Sequence, residues 1–277
     1  MTEKYLADYN DVFADIINVL LFDGKEIVAP EHLRRTRQRS IYKADGSPHE
    51  EERDSSKFWV RHEIFLALLG LENQTGLEHF MPLRVIGYDG ASYREQLLKG
   101  APKKKYPAVT LVLYFGTEKK WNGPTRLSEC FDLPKELEPY FNDYKINVFN
   151  IAFLPDETVR KFKSDFRIVA DYFTQIRKFA DYTPSREEME HVDAVLKLMT
   201  VLTNDSRFED AQTTDEKEAK TMCDVLDRAE NRGLEKGEAR LASLIKILMS
   251  NDRQSEMQLA LSDASARQRL YEKYGIE

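Results

Sequence analysis

Hydrophobic residues recur at helical spacing near the start of the chain and at strand spacing, or in unbroken runs, over the residues that follow. Residues 5–22 carry apolar side chains three or four positions apart, which predicts an amphipathic helix ending at Asp23-Gly24. The run 64–71 is apolar without interruption, as expected of a strand buried on both faces. The β-branched and aromatic segment 107–116 predicts another central strand, and 145–154 predicts a further one.

Two more strands, 38–44 and 53–60, flank the turn sequence Asp45-Gly46-Ser47-Pro48 and are predicted to pair as a hairpin. Residues 81–98 predict a helix, with Pro82 in its first turn, where proline is well tolerated. The order is therefore one helix, three strands, one helix and two strands. It predicts a mixed α/β layer in which helices cover a central sheet.

The pattern changes after Pro155, because the segments 157–180, 185–203, 215–248 and 252–273 all have helical spacing. We therefore expect a sheet-containing domain at 1–155 and a helical C-terminal region at 156–277. Apolar positions on the C-terminal helices leave two interpretations open, a self-association face that would make a homo-oligomer or packing on the chain's own domain. These positions are Val225, Leu226, Leu241, Leu244, Ile245, Ile247 and Leu248.

Charge and cysteine content narrow the class of protein. The net charge of −7 argues against a protein that coats nucleic acid non-specifically. The two cysteines have no metal-ligand spacing and no apolar run is long enough for a membrane helix, so a cytoplasmic protein without a membrane partner is expected. Local basic clusters are compatible with phosphate contacts or with plain solvated surface. They are Arg34, Arg35, Arg37 and Arg39, followed by Lys99, Lys103, Lys104 and Lys105.

Glu72 is the main candidate for chemistry, since the chain has no phosphate-binding glycine loop, HExxH, Gly-x-Ser-x-Gly or CxxC motif. It follows the apolar run 64–71, and a buried carboxylate needs a cationic partner. A divalent cation would meet that need if Asp54, on the preceding strand, and the carbonyl of Asn73 completed an oxygen site. Two such close carboxylates should raise the pKa of one of them. The alternative is an ordinary ion pair of Glu72 with one of three arginines, Arg53, Arg61 or Arg84.

Several segments resemble one bacterial family. Arg53-Asp54, the segment Leu69-Gly70-Leu71-Glu72-Asn73-Gln74-Thr75 and the segment Met81-Pro82-Leu83-Arg84-Val85-Ile86-Gly87-Tyr88-Asp89 are similar to the PD-(D/E)XK nuclease-like transposases, which include the recombination-promoting nucleases. The resemblance extends to the opening helix, to 93–96, to 106–116, to 121–124 and to 231–238. It implies a restriction-endonuclease-like mixed sheet flanked by helices. It also implies an endonuclease that hydrolyses phosphodiester bonds in DNA with Mg²⁺ or Mn²⁺.

The resemblance assigns Asp54, Glu72 and Gln74 to catalysis, with Asp54 and Glu72 as metal ligands beside the Asn73 carbonyl. Gln74 stands where the wider superfamily has lysine, and it lacks the positive charge that stabilises the transition state. This departure keeps open a non-cleaving DNA-binding or interaction protein on the same fold, and RNA as the substrate is a third alternative. Accessory candidates are Asp11, Arg84, Tyr88 and Gln96, and Lys103, Lys104 and Lys105 are candidates for contacts with DNA.

Overall fold

A computed structural model gives the positions of the strands and helices. It describes residues 5–36, 39–44, 47–52, 54–98, 103–203, 205, 207–208, 211 and 220–276, of which 39–44, 47–52 and 64 are described by their backbone alone. The strands are β1 (Leu33–Arg35), β2 (Arg39–Ala44), β3 (Ser47–Glu52), β4 (Ser55–Arg61), β5 (Ile64–Gln74), β6 (Ala108–Tyr114) and β7 (Asn147–Asn150).

The helices are α1 (Asn10–Phe22), α2 (Met81–Glu95), α3 (Asp156–Val159), α4 (Phe166–Phe179), α5 (Val192–Leu202), α6 (Met222–Ser250), α7 (Gln254–Ser262) and α8 (Ala264–Tyr274). A short 3-10 turn, Leu6–Asp8, precedes α1, which ends where Asp23 adopts a left-handed conformation. Within the described ranges, no helix is both long enough and apolar enough to cross a membrane.

Five strands form one mixed sheet in the order β1-β4-β5-β6-β7. The pairs β1–β4 and β4–β5 are antiparallel, whereas β5–β6 and β6–β7 are parallel. Helix α2 supplies the crossover that brings β6 parallel to β5. Strands β4 and β5 are joined by a two-residue turn in which His62 and Glu63 both have positive φ, as a type I′ hairpin turn requires.

The two faces of β5 bury different side chains, because neighbouring residues of a strand point to opposite faces. Leu69 and Leu71 belong to the main core, in which the sheet packs against α1 and α4. The other face is covered by α2, whose Met81 and Val85 pack against Val112 of β6. The predicted α/β class, a mixed sheet flanked by helices and followed by a helical region, is confirmed.

The predicted pairing of 38–44 with 53–60 is wrong. Strand β2 pairs with β3, and the Ala44–Ser47 pair leaves only a two-residue connection, so the hairpin is complete by Glu52. Strand β4 instead joins the main sheet between β1 and β5, where Ser55 and Lys57 are buried. The turn residues 45–46 lie outside the described residues. A sequence pattern that predicts a turn does not determine which of the strands that follow it pairs with the strand before it.

Several predicted bounds also change. The strand predicted at 145–154 is limited to β7 and continues as a 3-10 turn, Ile151–Phe153, while α2 ends at Glu95. The predicted helix 157–180 divides into α3 and α4, and only the part of 185–203 from Val192 onward is helical. The segment predicted as 252–273 divides at Asp263, whose side chain caps α8. Of the helix predicted at 215–248, residues 215–219 lie outside the described residues, and α6 begins at Met222.

The change at residue 155 is a change of secondary structure, and the main core continues across it. That core includes Phe13 and Leu113 together with Phe166, Leu196 and Leu226. A second, smaller cluster joins the end of α6 to α7 and α8. Four of the apolar residues for which self-association and packing within the chain were both considered are buried within the chain. Two lie in each cluster: Val225 and Leu226 in the main core, Leu244 and Leu248 in the smaller one.

Candidate active site

Asp54, Glu72 and Asn73 meet where β4 begins and β5 ends. The last pair of this ladder is Ser55 with Leu71, so Asp54 and Glu72 are the next residue on each side of it. Oδ2 of Asp54 accepts a hydrogen bond from the backbone N–H of Asn73 at 2.7 Å. Strand pairing thus brings together two acidic residues that are eighteen positions apart in the sequence.

Glu72 is almost completely buried, with 1% of its surface exposed, and it contacts Arg84 of α2. Nη2 of Arg84 donates to Oε1 of Glu72 at 2.6 Å and lies 3.1 Å from the hydroxyl oxygen of Tyr88, one helical turn further along α2. Tyr88 is buried as well. One of the three arginines considered from sequence is therefore an ion-pair partner of Glu72, and Tyr88 holds that arginine in place.

The pKa of the Asp54 carboxyl is raised above its ordinary value because protein packs around the carboxyl group and removes water, although the residue as a whole is exposed. The hydrogen bond from Asn73 and the positive charge of Arg84 oppose this effect. Burial lowers the pKa of Arg84, but the Tyr88 hydrogen bond and the charge of Glu72 outweigh it, so its pKa lies above the usual value. A raised carboxyl pKa was expected from repulsion between two acids, whereas desolvation is its largest cause here.

Asp54, Asn73 and Gln74 line a cleft of about 620 Å³ at the carboxyl end of β5. Gln74 is half-buried and pairs with Tyr114 of β6. The opposite walls of the cleft come from the segment 5–8 and from the C-terminal half of α5. Polar groups at a carboxyl end of the sheet thus face an apolar wall across a space of ligand size.

The carboxylates of Asp54 and Glu72 and the carbonyl of Asn73 fit a hard divalent cation, since all the donor atoms are oxygens. In a strand, the N–H and C=O of one residue point toward the same neighbouring strand. The Asn73 N–H points to Asp54, so its carbonyl oxygen faces the Asp54 side of β5. The next carbonyl, that of Gln74, points the other way and accepts from the N–H of Phe115 at 2.8 Å. The Asn73 carbonyl therefore has the orientation that it needs to bind a cation together with two carboxylates.

Asp11 and Gln96 are placed away from these groups. Oδ2 of Asp11 lies 3.1 Å from Nε2 of His191, and these two residues and Glu190 bring one donor atom each within 4.8 Å of one another. Asp11 does not line the cleft, and Asp8 does. Gln96 is buried, and its side-chain amide bonds to the backbone N–H and carbonyl of Tyr106, so both ends of the amide already have partners away from the cleft. It ties the end of α2 to the segment before β6.

Lys103, Lys104 and Lys105 do not line the cleft, and their contact with DNA stays a prediction. They precede β6, whose first residue Ala108 pairs with Leu68 of β5. Leu68 precedes Glu72 by four residues, which is about 13 Å along a strand at about 3.3 Å per residue. Because β5 and β6 are parallel, the lysines lie toward the opposite end of the sheet. Nζ of Lys105 also donates to the carbonyl of Gln96, at the far end of α2.

The arginine cluster is closer to the site. Arg35 of β1 lines the cleft and forms a 3.3 Å ion pair with Asp8, while Arg34 is exposed on the same strand. Arg37 and the side chain of Arg39 lie outside the described residues. The contributions of the segment 5–8 and of α5 have no signal in the sequence, since they depend on long-range packing. Lys57 illustrates this, because its buried Nζ holds the segment by donating to the carbonyl of Asp8 at 2.6 Å.

The fold and these residues together define a nuclease-like protein with acidic residues at the carboxyl end of a mixed sheet. The model of the family described as "Putative transposase, YhgA-like" matches residues 62–212, more than half of the chain. The chain belongs to this family, which is the PD-(D/E)XK nuclease-like transposase family. The matched stretch includes Glu72, Gln74 and Arg84, and Asp54 lies before it. No curated protein and no solved structure matches the chain.

Proposed function

We propose that the protein is a DNA endonuclease that hydrolyses phosphodiester bonds with a divalent cation, Mg²⁺ or Mn²⁺. The observation that carries the proposal is the junction of β4 and β5. There the Asn73 N–H binds Asp54, and the register brings Asp54 beside the buried Glu72. Membership of a nuclease-like transposase family supports DNA as the partner.

Each residue then has a defined part. Asp54, Glu72 and the Asn73 carbonyl would hold the cation, which when bound polarises the scissile phosphate and favours attack by water. Gln74 donates hydrogen bonds through its amide and would orient a water molecule, without supplying positive charge. Arg84 supplies the hydrogen bond and the positive charge that a buried carboxylate such as Glu72 needs. Its guanidinium is the positive charge that stands next to the carboxylates.

Nicking of a supercoiled plasmid tests the proposal. The wild type should nick with Mg²⁺ or Mn²⁺ and not with EDTA, and Asp54→Ala and Glu72→Gln should lower the rate by about 100-fold or more. Asp132→Ala, at an exposed position between β6 and β7, is the matched control and should keep the wild-type rate. Gln74→Lys should raise the rate by roughly 10-fold, because it returns a positive charge to the site. Nicking that survives Asp54→Ala contradicts the proposal.

The ion pair between Arg84 and Glu72 favours a second candidate, a non-cleaving DNA-binding protein. A guanidinium 2.6 Å from Glu72 already neutralises the buried carboxylate. On this alternative neither the wild type nor Gln74→Lys nicks DNA under any metal condition, while binding to DNA is retained. Cleavage by Gln74→Lys with an inactive wild type would instead show an intact metal site that lacks only the lysine charge.

A further inference from the structure

The cleft extends well beyond the residues proposed to hold a cation. Its lining begins with Tyr5, a residue that is 53% exposed, and also includes Leu198, Val201 and Leu202 of α5. Val201 is 70% exposed. An apolar side chain this exposed inside a cleft, next to acidic and amide groups, has the composition of a ligand site.

Tyr5 has the surroundings of a stacking platform. Nζ of Lys197 lies 4.9 Å from the centroid of its ring. The residue is fixed through its backbone, since its N–H donates to Oδ2 of Asp8 at 3.2 Å. The same Asp8 pairs with Arg35, which also lines the cleft. An aromatic face, a cationic group and a basic side chain that can reach phosphate are the three parts of a single-strand binding groove.

The shape and chemistry of the cleft distinguish single-stranded from duplex DNA. In a duplex the flat faces of the bases are stacked inside, and a protein meets phosphates and groove edges. An apolar wall beside an aromatic ring gains contact area only with a base whose face is exposed. A space of about 620 Å³ is in the range of a small-molecule pocket, so it suits one or two nucleotides rather than a double helix.

We infer that the cleft receives an unpaired nucleotide of single-stranded DNA, its base against Tyr5 and the exposed end of α5 and its phosphate toward Asp54 and Gln74, which line the cleft. This rests on the proposed function for the identity of the polymer. It adds that the substrate is a single strand, or a duplex with an unpaired stretch. Val201 and Leu202 then contact the base, and Arg35 contacts a neighbouring phosphate.

Binding is measured separately from cleavage so that the two proposals can fail independently. Fluorescence anisotropy in EDTA compares a 12-nucleotide strand with its blunt duplex, and all proteins carry Asp54→Asn, which removes one carboxylate near the phosphate. The single strand should bind at least about 10-fold more tightly than the duplex. Adding Tyr5→Ala should weaken single-strand binding by about 5- to 100-fold, the range for loss of one stacked base, whereas Tyr5→Phe should keep it.

Tyr140→Ala is the matched control, because Tyr140 is 83% exposed and lies in the connection between β6 and β7. It should leave binding within about twofold. Val201→Asp is an independent test on α5 and should also weaken single-strand binding, since it places a negative charge beside the nucleotide. Equal affinity for the duplex, equal effects of Tyr5→Ala and Tyr140→Ala, or tighter binding of an RNA strand of the same sequence would each overturn the inference. If the protein prefers single strands but never cleaves DNA, the nuclease proposal is refuted and the inference on single-strand binding stands.

Discussion

Arg84 donates from Nη2 to Oε1 of Glu72 at 2.6 Å, and its charge also opposes the rise that desolvation causes in the pKa of the Asp54 carboxyl. One guanidinium therefore acts on both acidic residues of the candidate site. When no metal ion is bound, this guanidinium supplies the positive charge that the buried carboxylate of Glu72 requires. Arg84 and a divalent ion are consequently expected to neutralise the same pair of carboxylates, which makes their effects on stability interdependent.

Arg84→Ala should destabilise the metal-free protein by roughly 2–3 kcal/mol, because it leaves Glu72 buried without its guanidinium. The loss is below that of a fully buried pair, since 35% of the Arg84 side chain is exposed. Urea unfolding in EDTA measures it, with Arg94→Ala, an exposed arginine of the same helix, as the control. Millimolar Mg²⁺ should raise the stability of Arg84→Ala more than that of the wild type. Equal stabilities of the two arginine variants would contradict the role given to Arg84.

Asp54→Asn should stabilise the protein at neutral pH while abolishing metal-dependent activity. Burial raises the pKa of Asp54 in the folded state, so the folded protein prefers the neutral acid. Its favourable contribution is present below the unfolded pKa, about 3.9, and is lost as the pH rises through the folded pKa. Asparagine is neutral at every pH and retains an oxygen that can accept from Asn73.

Because Asp54 is exposed and water screens its charge, the expected gain is a rise in Tm of no more than about 1 °C in EDTA at pH 7, shrinking toward zero near pH 4. Asp132→Asn is the exposed control. A variant less stable than the wild type at pH 7 would mean that the Asp54 carboxylate is stabilised, rather than strained, by its surroundings.

Contacts with DNA phosphates should depend on Arg35 and not on the lysines before β6. Each phosphate contact that is lost lowers the slope of log affinity against log salt by about one. Arg35→Ala should therefore flatten the slope, because Arg35 lines the cleft. The triple variant Lys103→Ala, Lys104→Ala and Lys105→Ala should keep the wild-type slope. A flattened slope in the triple variant alone would place the DNA at the other end of the sheet.

The elements nearest the site could be predicted because their signals are local. An unbroken apolar run identified β5, Pro82 marked the start of α2, and β-branched residues identified β6. The order of these elements was sufficient for the α/β class. The same short stretch of sequence identified Arg84 as one of three ion-pair candidates for Glu72.

The remaining features depend on pairing that local patterns do not encode. The turn between β4 and β5 consists of His62 and Glu63, which do not form one of the Asn-Gly or Asp-Gly pairs that mark such a turn in a sequence. The pairing predicted for 38–44 is with the wrong strand, because local patterns do not show that 47–52 forms a strand of its own. The end of the sheet near which Lys103, Lys104 and Lys105 lie is likewise decided by the parallel register of β6. Asp11 meets a histidine 180 residues away, and no spacing rule anticipates such a contact.

The number of divalent ions bound by the protein tests the account most directly. Isothermal titration of Mn²⁺ into metal-free protein at pH 7.5 should show one site per chain in the wild type, in the millimolar range or tighter. Asp54→Asn and Glu72→Gln should each abolish that site, and Asp132→Asn should retain it. Lowering the pH through the raised pKa of Asp54 should weaken binding, because the ion competes with a proton for that carboxylate. Binding that is unchanged in Asp54→Asn, or absent from the wild type, would contradict a metal site formed by Asp54 and Glu72.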